Sequence, residues 1–312
     1  MTPGEAHLAE LLRDARLPRL RVSPQGEPGL LGELNTWWFR VGPAHPSTAD
    51  GSGPLPAAIV LGPTTGPLVD LARRTGIGLI DGLAGDQTTF RNVSGIDAWG
   101  EDRLAEGPRA DDPGADDPGA DDPWAEAMRS GCEAAAAALT GGTAIACCLT
   151  PGPALDPSAL ALIGAAQPTD ACALIGLPAA ADAEQERQWA DLVVHTRDVL
   201  RRVRSAEPGW PALIAAGSAQ VCAAVGVLLT AAARRVPVML DGVSAVAAGH
   251  WLASQSRGLA GWWRTAGSLS CPGAALVDDV LGVPLLDTRQ PITDGRVGLL
   301  AVELLRLAPP TH

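Results

Sequence analysis

The sequence predicts an α/β protein built around a parallel sheet, and three observations carry that prediction. Short apolar runs that read as buried strands alternate with helical segments along most of the chain, an order in which each strand reaches a parallel neighbour through a crossover helix. The Ala-rich stretch from Ala212 to Ala233 feeds straight into Val236-Pro237-Val238-Met239-Leu240 and then Asp241-Gly242, a buried helix followed by a buried strand that ends in a carboxylate. With 312 residues the chain buries a large core without covalent staples.

The elements follow in order. Glu5 to Leu17 carries Leu8, Leu11 and Leu12 at helical spacing with Pro18 just after, and Leu30 to Val41 places Leu31, Leu34, Trp38 and Val41 on one helical face. Residues from Pro43 to Pro56 break the pattern. Ala57 to Leu61 then reads as a strand, Leu68 to Arg74 as a helix and Ile77 to Asp81 as a second strand, together one βαβ unit.

Three successive Ala-Asp-Asp-Pro units between residues 110 and 124 place a proline beside every carboxylate pair, which prevents an organised cation loop and predicts a disordered acidic insertion over 108–124. After it come an Ala-rich helix from Trp124 to Leu139, a strand from Thr143 to Leu149, and the turn Thr150-Pro151-Gly152-Pro153. Asp156 followed by Pro157 reads as an N-cap and first helical residue. Glu184 to Arg204 is an exposed amphipathic helix, and Ala212 to Ala233 an apolar one.

Beyond the strand at Val236 to Leu240, the pattern predicts a helix around Ala245 to Leu252, a strand near Trp262 to Ala266 and a helix around Ala274 to Leu281. Thr293-Asp294-Gly295 forms a loop before a last apolar helix from Gly298 to Leu307. That spacing sets Asp294 and Gly295 just ahead of a helix N-terminus, whose free N–H groups can hold an anion.

Charge and composition exclude several partners. A net charge of -12 repels nucleic-acid phosphates and anionic membrane surfaces and favours a small-molecule ligand. The N-terminus shows no basic segment followed by an apolar one, and no apolar run reaches the roughly 20 residues of a bilayer span, so the expectation is a cytoplasmic protein. The six cysteines lack paired metal-ligand spacing and read as buried small hydrophobes. Every basic side chain other than histidine is an arginine, so an anion must be held by Arg, backbone N–H groups or helix N-termini.

Candidate site residues follow from position. Asp241 and Gly242 stand at a strand end, the place where ligands lie in parallel α/β folds. His195 and His250, with no Ser or Cys motif beside them, read as surface or core residues. Trp37, Trp38, Trp262 and Trp263 read as core, and Ser218 and Ser268, outside any nucleophile elbow, as structural.

The order of elements and several motifs resemble the nicotinate-nucleotide:dimethylbenzimidazole phosphoribosyltransferase family of cobalamin biosynthesis. Arg234-Arg235-Val236-Pro237-Val238-Met239-Leu240-Asp241-Gly242 resembles the family's "riPVllDG" strand, and Leu281-Gly282-Val283-Pro284-Leu285-Leu286-Asp287 its "LGLxPLLdl". The same registration brings the family's "RLGEGxGAaLA" loop onto Pro291 to Ala301. Weaker echoes are Gly29 to Leu34 for "GSLGrLE" and Gly76 to Gly82 for the strand ending "vDxG".

The resemblance implies a Rossmann-like parallel sheet with a small helical domain formed from both chain ends. Residues 1–42 and 291–312 would make the small domain, and 57–290 the main one. It implies a homodimer that needs no cofactor and moves phosphoribose from nicotinate mononucleotide to dimethylbenzimidazole or a related base. On it, Asp294 takes the place of the family's general-base glutamate, one methylene shorter.

Substrate-binding residues implied in the same way are Asp241, Gly242 and Gly295, with Thr150 and Gly152 in the turn that replaces the phosphate-binding "GEMGIGNTT". Gly273 remains from "EPGH", which here reads Cys271-Pro272-Gly273-Ala274. "AGDHG" becomes Gly62-Pro63-Thr64-Thr65-Gly66. The prolines at 151 and 153 remove amide donors that a phosphate cradle uses. These departures leave a second expectation open, a catalytically inactive paralogue that acts as a ligand-binding or partner protein.

Overall fold

A computed structural model of the chain describes residues 56–82, 122–139, 143–177, 182–286 and 293–307. Their core is one parallel sheet of five strands: β1 (Ala57–Val60), β2 (Gly78–Asp81), β3 (Ala146–Leu149), β4 (Val238–Asp241) and β5 (Trp263–Thr265), in the spatial order β2-β1-β3-β4-β5. The register pairs Val60 with Leu149 and Leu149 with Asp241, so β1, β3 and β4 end level with one another. Every residue of these three strands is buried, as expected for parallel strands covered on both faces.

The helices are α1 (Gly66–Thr75), α2 (Pro123–Ala138), α3 (Pro157–Ala165), α4 (Ala171–Ile175), α5 (Ala183–Ser205), α6 (Trp210–Ala216), α7 (Ala219–Ala233), α8 (Val243–Gln255), α9 (Ala274–Leu281) and α10 (Arg296–Leu307). Several start where side-chain chemistry dictates. Asp156 caps α3 through the Ala159 amide at 2.7 Å with Pro157 next, and Asp182 and Gln185 close a capping box on α5. Asp122, the last acidic residue of the insertion expected over 108–124, caps α2; residues 108–121 lie outside the described residues.

The helix expected from Ala212 to Ala233 is two helices. Gly217 takes a left-handed φ of 72° and Ser218 caps α7 through the Val221 amide at 3.3 Å, so a local hydrogen bond competes with continued helix. Helices α2 and α7 pack backbone to backbone. A side chain at Gly131 would strike the Ala223 carbonyl, and one at Gly226 the Met128 carbonyl.

Trp262 is buried just ahead of β5 and Trp263 is the buried first residue of that strand, and His250 is 3% exposed within α8; His195 is exposed on α5. Cys147, Cys148, Cys222 and Cys271 are buried, whereas Cys132 and Cys172 are half-buried, and none of the six forms a disulfide. Helix α10 lies against α1, β3 and β4. The N-terminal segment expected beside it, residues 1–42, with Trp37 and Trp38, lies outside the described residues. No helix among the described residues is long and apolar enough to cross a membrane.

Candidate functional site

The carboxyl ends of β3, β4 and β5 open into a cleft. Thr150 follows β3, Asp241 and Gly242 close β4, and Gly267 to Ser270 follow β5; Thr293 and Val297 reach in from the segment around the start of α10. Crevices beyond strand ends are the usual ligand sites of such sheets because loops and helix N-termini converge there.

Thr150 knits β3 to β4 and to α8. Its amide donates to the Asp241 carbonyl at 2.8 Å, its hydroxyl donates to the same carbonyl at 3.1 Å, and its Oγ1 accepts the Ala245 amide at 3.1 Å. A hydroxyl from β3 therefore caps a helix that has no cap of its own, since Gly242 lacks a side chain. Gly242 holds φ 97°, and a side chain there would collide with the Thr150 carbonyl and hydroxyl, so both the conformation and the space require glycine.

Asp241 is 5% exposed, and its Oδ2 accepts the Gly298 amide at 2.7 Å. Burial pushes its carboxyl up to about 6; the Gly298 amide opposes that rise and the nearby Asp294 charge adds to it, with Gly242 and Val297 amides also opposing. A β4 carboxylate thus caps α10, a helix that begins far along the chain at Arg296. Gly298 is the residue that permits this, because a side chain there would stand 3.0 Å from the Asp241 Cβ and 2.5 Å from Leu149 Cδ2.

The first turn of α10 was expected to offer free amides to an anion, and those amides are instead held by the protein's own carboxylates. Asp241 takes Gly298, and Asp294 Oδ1 accepts the Arg296 amide at 3.2 Å. The turn after β3 offers no more. Thr150 and Gly152 give their amides to the Asp241 and Thr293 carbonyls, the latter at 3.1 Å, and Pro151 and Pro153 have none.

The predicted residues divide. Thr150, Gly152, Asp241 and Gly242 line the cleft together. Asp294 stands beside its lining residue Thr293 with 21% of its side chain exposed, and its Oδ2 pairs with Arg296 Nε at 2.6 Å. Gly295 adopts φ 87° and rests on Leu149 and Leu68. Gly273 lies at the start of α9 and donates its amide to the Leu174 carbonyl at 2.9 Å, apart from the lining residues.

Sequence reasoning missed Gln220. From the first turn of α7 its Nε2 donates to the Leu61 carbonyl and, at 3.3 Å, to the Pro151 carbonyl, while its Oε1 accepts the Ser244 hydroxyl at 2.7 Å. One amide side chain thereby joins the ends of β1 and β3 to the start of α8. The available signal was a lone polar side chain near the N-terminal end of an apolar helix. Ser268, read as structural, and Ser270 also line the cleft.

A family model described as phosphoribosyltransferase matches residues 120–312. The nicotinate-nucleotide–dimethylbenzimidazole phosphoribosyltransferase of Mycobacterium tuberculosis is 31% identical over 153 residues, 48% of this chain and 42% of that protein. The same-named protein of Mycobacterium avium is 34% identical over 122 residues, 38% of this chain and 35% of the relative. The chain thus spans less than half the length of the curated relatives it matches. The crystal structure of CobT from Thermus thermophilus aligns with a TM-score of 0.59 at 21% identity, over 96% of this chain and 95% of that one, and shares the fold. On the match to more than half of its length, the chain belongs to the phosphoribosyltransferase family that includes the nicotinate-nucleotide–dimethylbenzimidazole enzymes.

Proposed function

We propose that the protein is a divergent phosphoribosyltransferase that moves phosphoribose from nicotinate mononucleotide to dimethylbenzimidazole or a related base, as a cytoplasmic homodimer. The observation that carries this reading is convergence. The two segments matched to the family's strand end and base loop, Asp241-Gly242 and Thr293-Asp294-Gly295, meet at one cleft through the Asp241–Gly298 and Gly152–Thr293 hydrogen bonds.

In this reading a ring nitrogen of the base attacks the anomeric carbon as the bond to nicotinate breaks. The bonding pair leaves with nicotinate, and Asp294 takes the proton from the other imidazole nitrogen. The Arg296 guanidinium occupies Oδ2 of Asp294, so that contact opens before the carboxylate acts as a base. Phosphate binding falls to groups other than the amides of residues 150–153.

One observation favours a second reading. With the amides of residues 150–153 committed or missing, the turn matched to the family's phosphate cradle is poorer in donors, which fits a catalytically inactive paralogue that binds a ligand or partner. The test is to incubate the purified full chain with nicotinate mononucleotide and dimethylbenzimidazole and follow nicotinate and α-ribazole phosphate by chromatography with mass detection. Product that vanishes in Asp294→Ala supports the transferase. Absence of product refutes it and leaves the paralogue.

A further inference from the structure

The chain contains no lysine, and the amides of Thr150 and Gly152 are already given to protein carbonyls. An arginine is therefore the strong anion partner left to this site. Topology narrows the choice among the described residues. The arginines at the ends of α1, α7 and α8 stand where each helix returns the chain to the start of the next strand, at the end of the sheet opposite the cleft. Those of α2 and α5 belong to helices that contribute no lining residue. Arg264 of β5 gives its guanidinium to the Leu281 carbonyl at 3.1 Å. Arg296 is placed differently. It is the first residue of α10, at the rim of the cleft between the lining residues Thr293 and Val297, with 44% of its side chain exposed.

Two bonds join Arg296 to Asp294, and they do different things. The Arg296 amide donates to Oδ1 at 3.2 Å and fixes the carboxylate to the start of α10. The guanidinium donates through Nε to Oδ2 at 2.6 Å and occupies the other oxygen. An ion pair this exposed is weak. A phosphate carries nearly two negative charges and three acceptor oxygens, and a guanidinium binds two of them at once. It competes well for the same donor.

We propose that Arg296 is a phosphate-binding residue that doubles as a latch on Asp294: it covers Oδ2 in the free protein, and the 5′-phosphate of nicotinate mononucleotide draws it away. This deepens the phosphoribosyltransferase reading and rests on it. The exchange makes and breaks no covalent bond. Because the Arg296 amide stays on Oδ1, the uncovered carboxylate keeps its place when the second substrate, a base with a ring N–H, arrives. The general base is thus armed in a protein already loaded with the phosphoribosyl donor.

Binding is measured on the full chain by calorimetry, one substrate at a time so that no turnover occurs. Wild type binds nicotinate mononucleotide about tenfold more tightly than nicotinate riboside, which lacks the phosphate. That preference is lost in Arg296→Ala and kept in Asp294→Ala. Dimethylbenzimidazole is then titrated in inorganic phosphate and in sodium chloride of matched ionic strength. In wild type, phosphate raises its affinity about fivefold over chloride. In Arg296→Ala the affinity already stands at the raised level and phosphate changes nothing, whereas in Asp294→Ala it stays low in both salts.

Equal binding of mononucleotide and riboside, or a preference that survives in Arg296→Ala, overturns the proposal. So does a phosphate effect that is absent from wild type or unchanged in Arg296→Ala, and so does failure of wild type to bind either substrate. The wild-type arms need no variant, so a folding defect in a variant leaves the outcome readable. Transfer is assayed separately, and where product forms Arg296→Ala raises kcat and raises the KM for nicotinate mononucleotide about tenfold. Turnover without phosphate preference defeats the latch and leaves the transferase. Both binding effects without product defeat the transferase and leave the latch.

Discussion

Oδ2 of Asp241 accepts the amide of Gly298 at 2.7 Å across 57 residues of chain, so the charge that ends β4 caps the helix that ends the described chain. With the Thr150 and Gln220 hydrogen bonds, this bond ties the strand ends to the helices that start at the cleft, and the consequences can be measured.

The first concerns pH. The folded-state Asp241 carboxyl, at about 6, lies above its ordinary 3.8, so the native protein binds the proton more tightly than the unfolded chain. Its contribution to stability is full below the ordinary value and falls as pH rises through about 6. Urea unfolding of wild type and Asp241→Asn across that range isolates the effect. The wild type loses roughly 2–3 kcal/mol relative to the variant between about pH 4 and pH 7, and a constant difference refutes the assignment.

Gly242→Ala must place a side chain at φ 97° against the Thr150 carbonyl and hydroxyl. Strain and collision together cost roughly 3 kcal/mol or more, read as a lowered unfolding midpoint. A variant as stable as the wild type would mean that the β4 end is not packed as described.

Thr150→Val keeps the shape and removes the hydroxyl that caps α8. The Ala245 amide then loses its acceptor, at a cost of about 1–2 kcal/mol. Thr150→Ser restores most of it, which separates loss of the cap from a packing change.

Gln220→Leu removes the link among Leu61, Pro151 and Ser244. With buried carbonyls left unpaired the loss is about 1–3 kcal/mol. Hydrogen exchange accelerates around the ends of β1 and β3, and a change confined to α7 would refute the linking role.

Arg296→Ala frees the Asp294 carboxylate from its ion pair. Because the Arg296 side chain is 44% exposed, stability changes by less than about 0.5 kcal/mol. On the transferase reading turnover rises, and Asp294→Ala lowers it by roughly a hundredfold or more. Equal rates in wild type and both variants remove Asp294 from the chemistry.

Much of the fold was legible because its signals are local. The apolar runs at Ala57–Val60, Ala146–Leu149 and Val238–Asp241 became the inner strands, since parallel strands covered on both faces need side chains that are apolar on both sides. Asp156-Pro157 started α3 where capping chemistry places a helix start. The break at Gly217-Ser218 went unread because the residues on either side are uniformly apolar, and a single turn with its own cap outweighed the periodicity. In the site, Asp241 and Gly242 were readable from their strand-end position, whereas Gln220 was not, since its partners lie 24, 69 and 159 residues away.

By itself the sequence determined which segments become strands and helices, where several helices start, and that Asp241 stands at a strand end, because these depend on neighbours within a few residues. Only the tertiary structure decided what the site's groups do with one another. It spent the α10 amides on Asp241 and Asp294, turned Asp294 toward Arg296, and made Thr150 a helix cap. The physical reason is that hydrogen-bond satisfaction and desolvation are settled by groups brought together in space, and a residue's chemistry depends on which of them arrive first in reach.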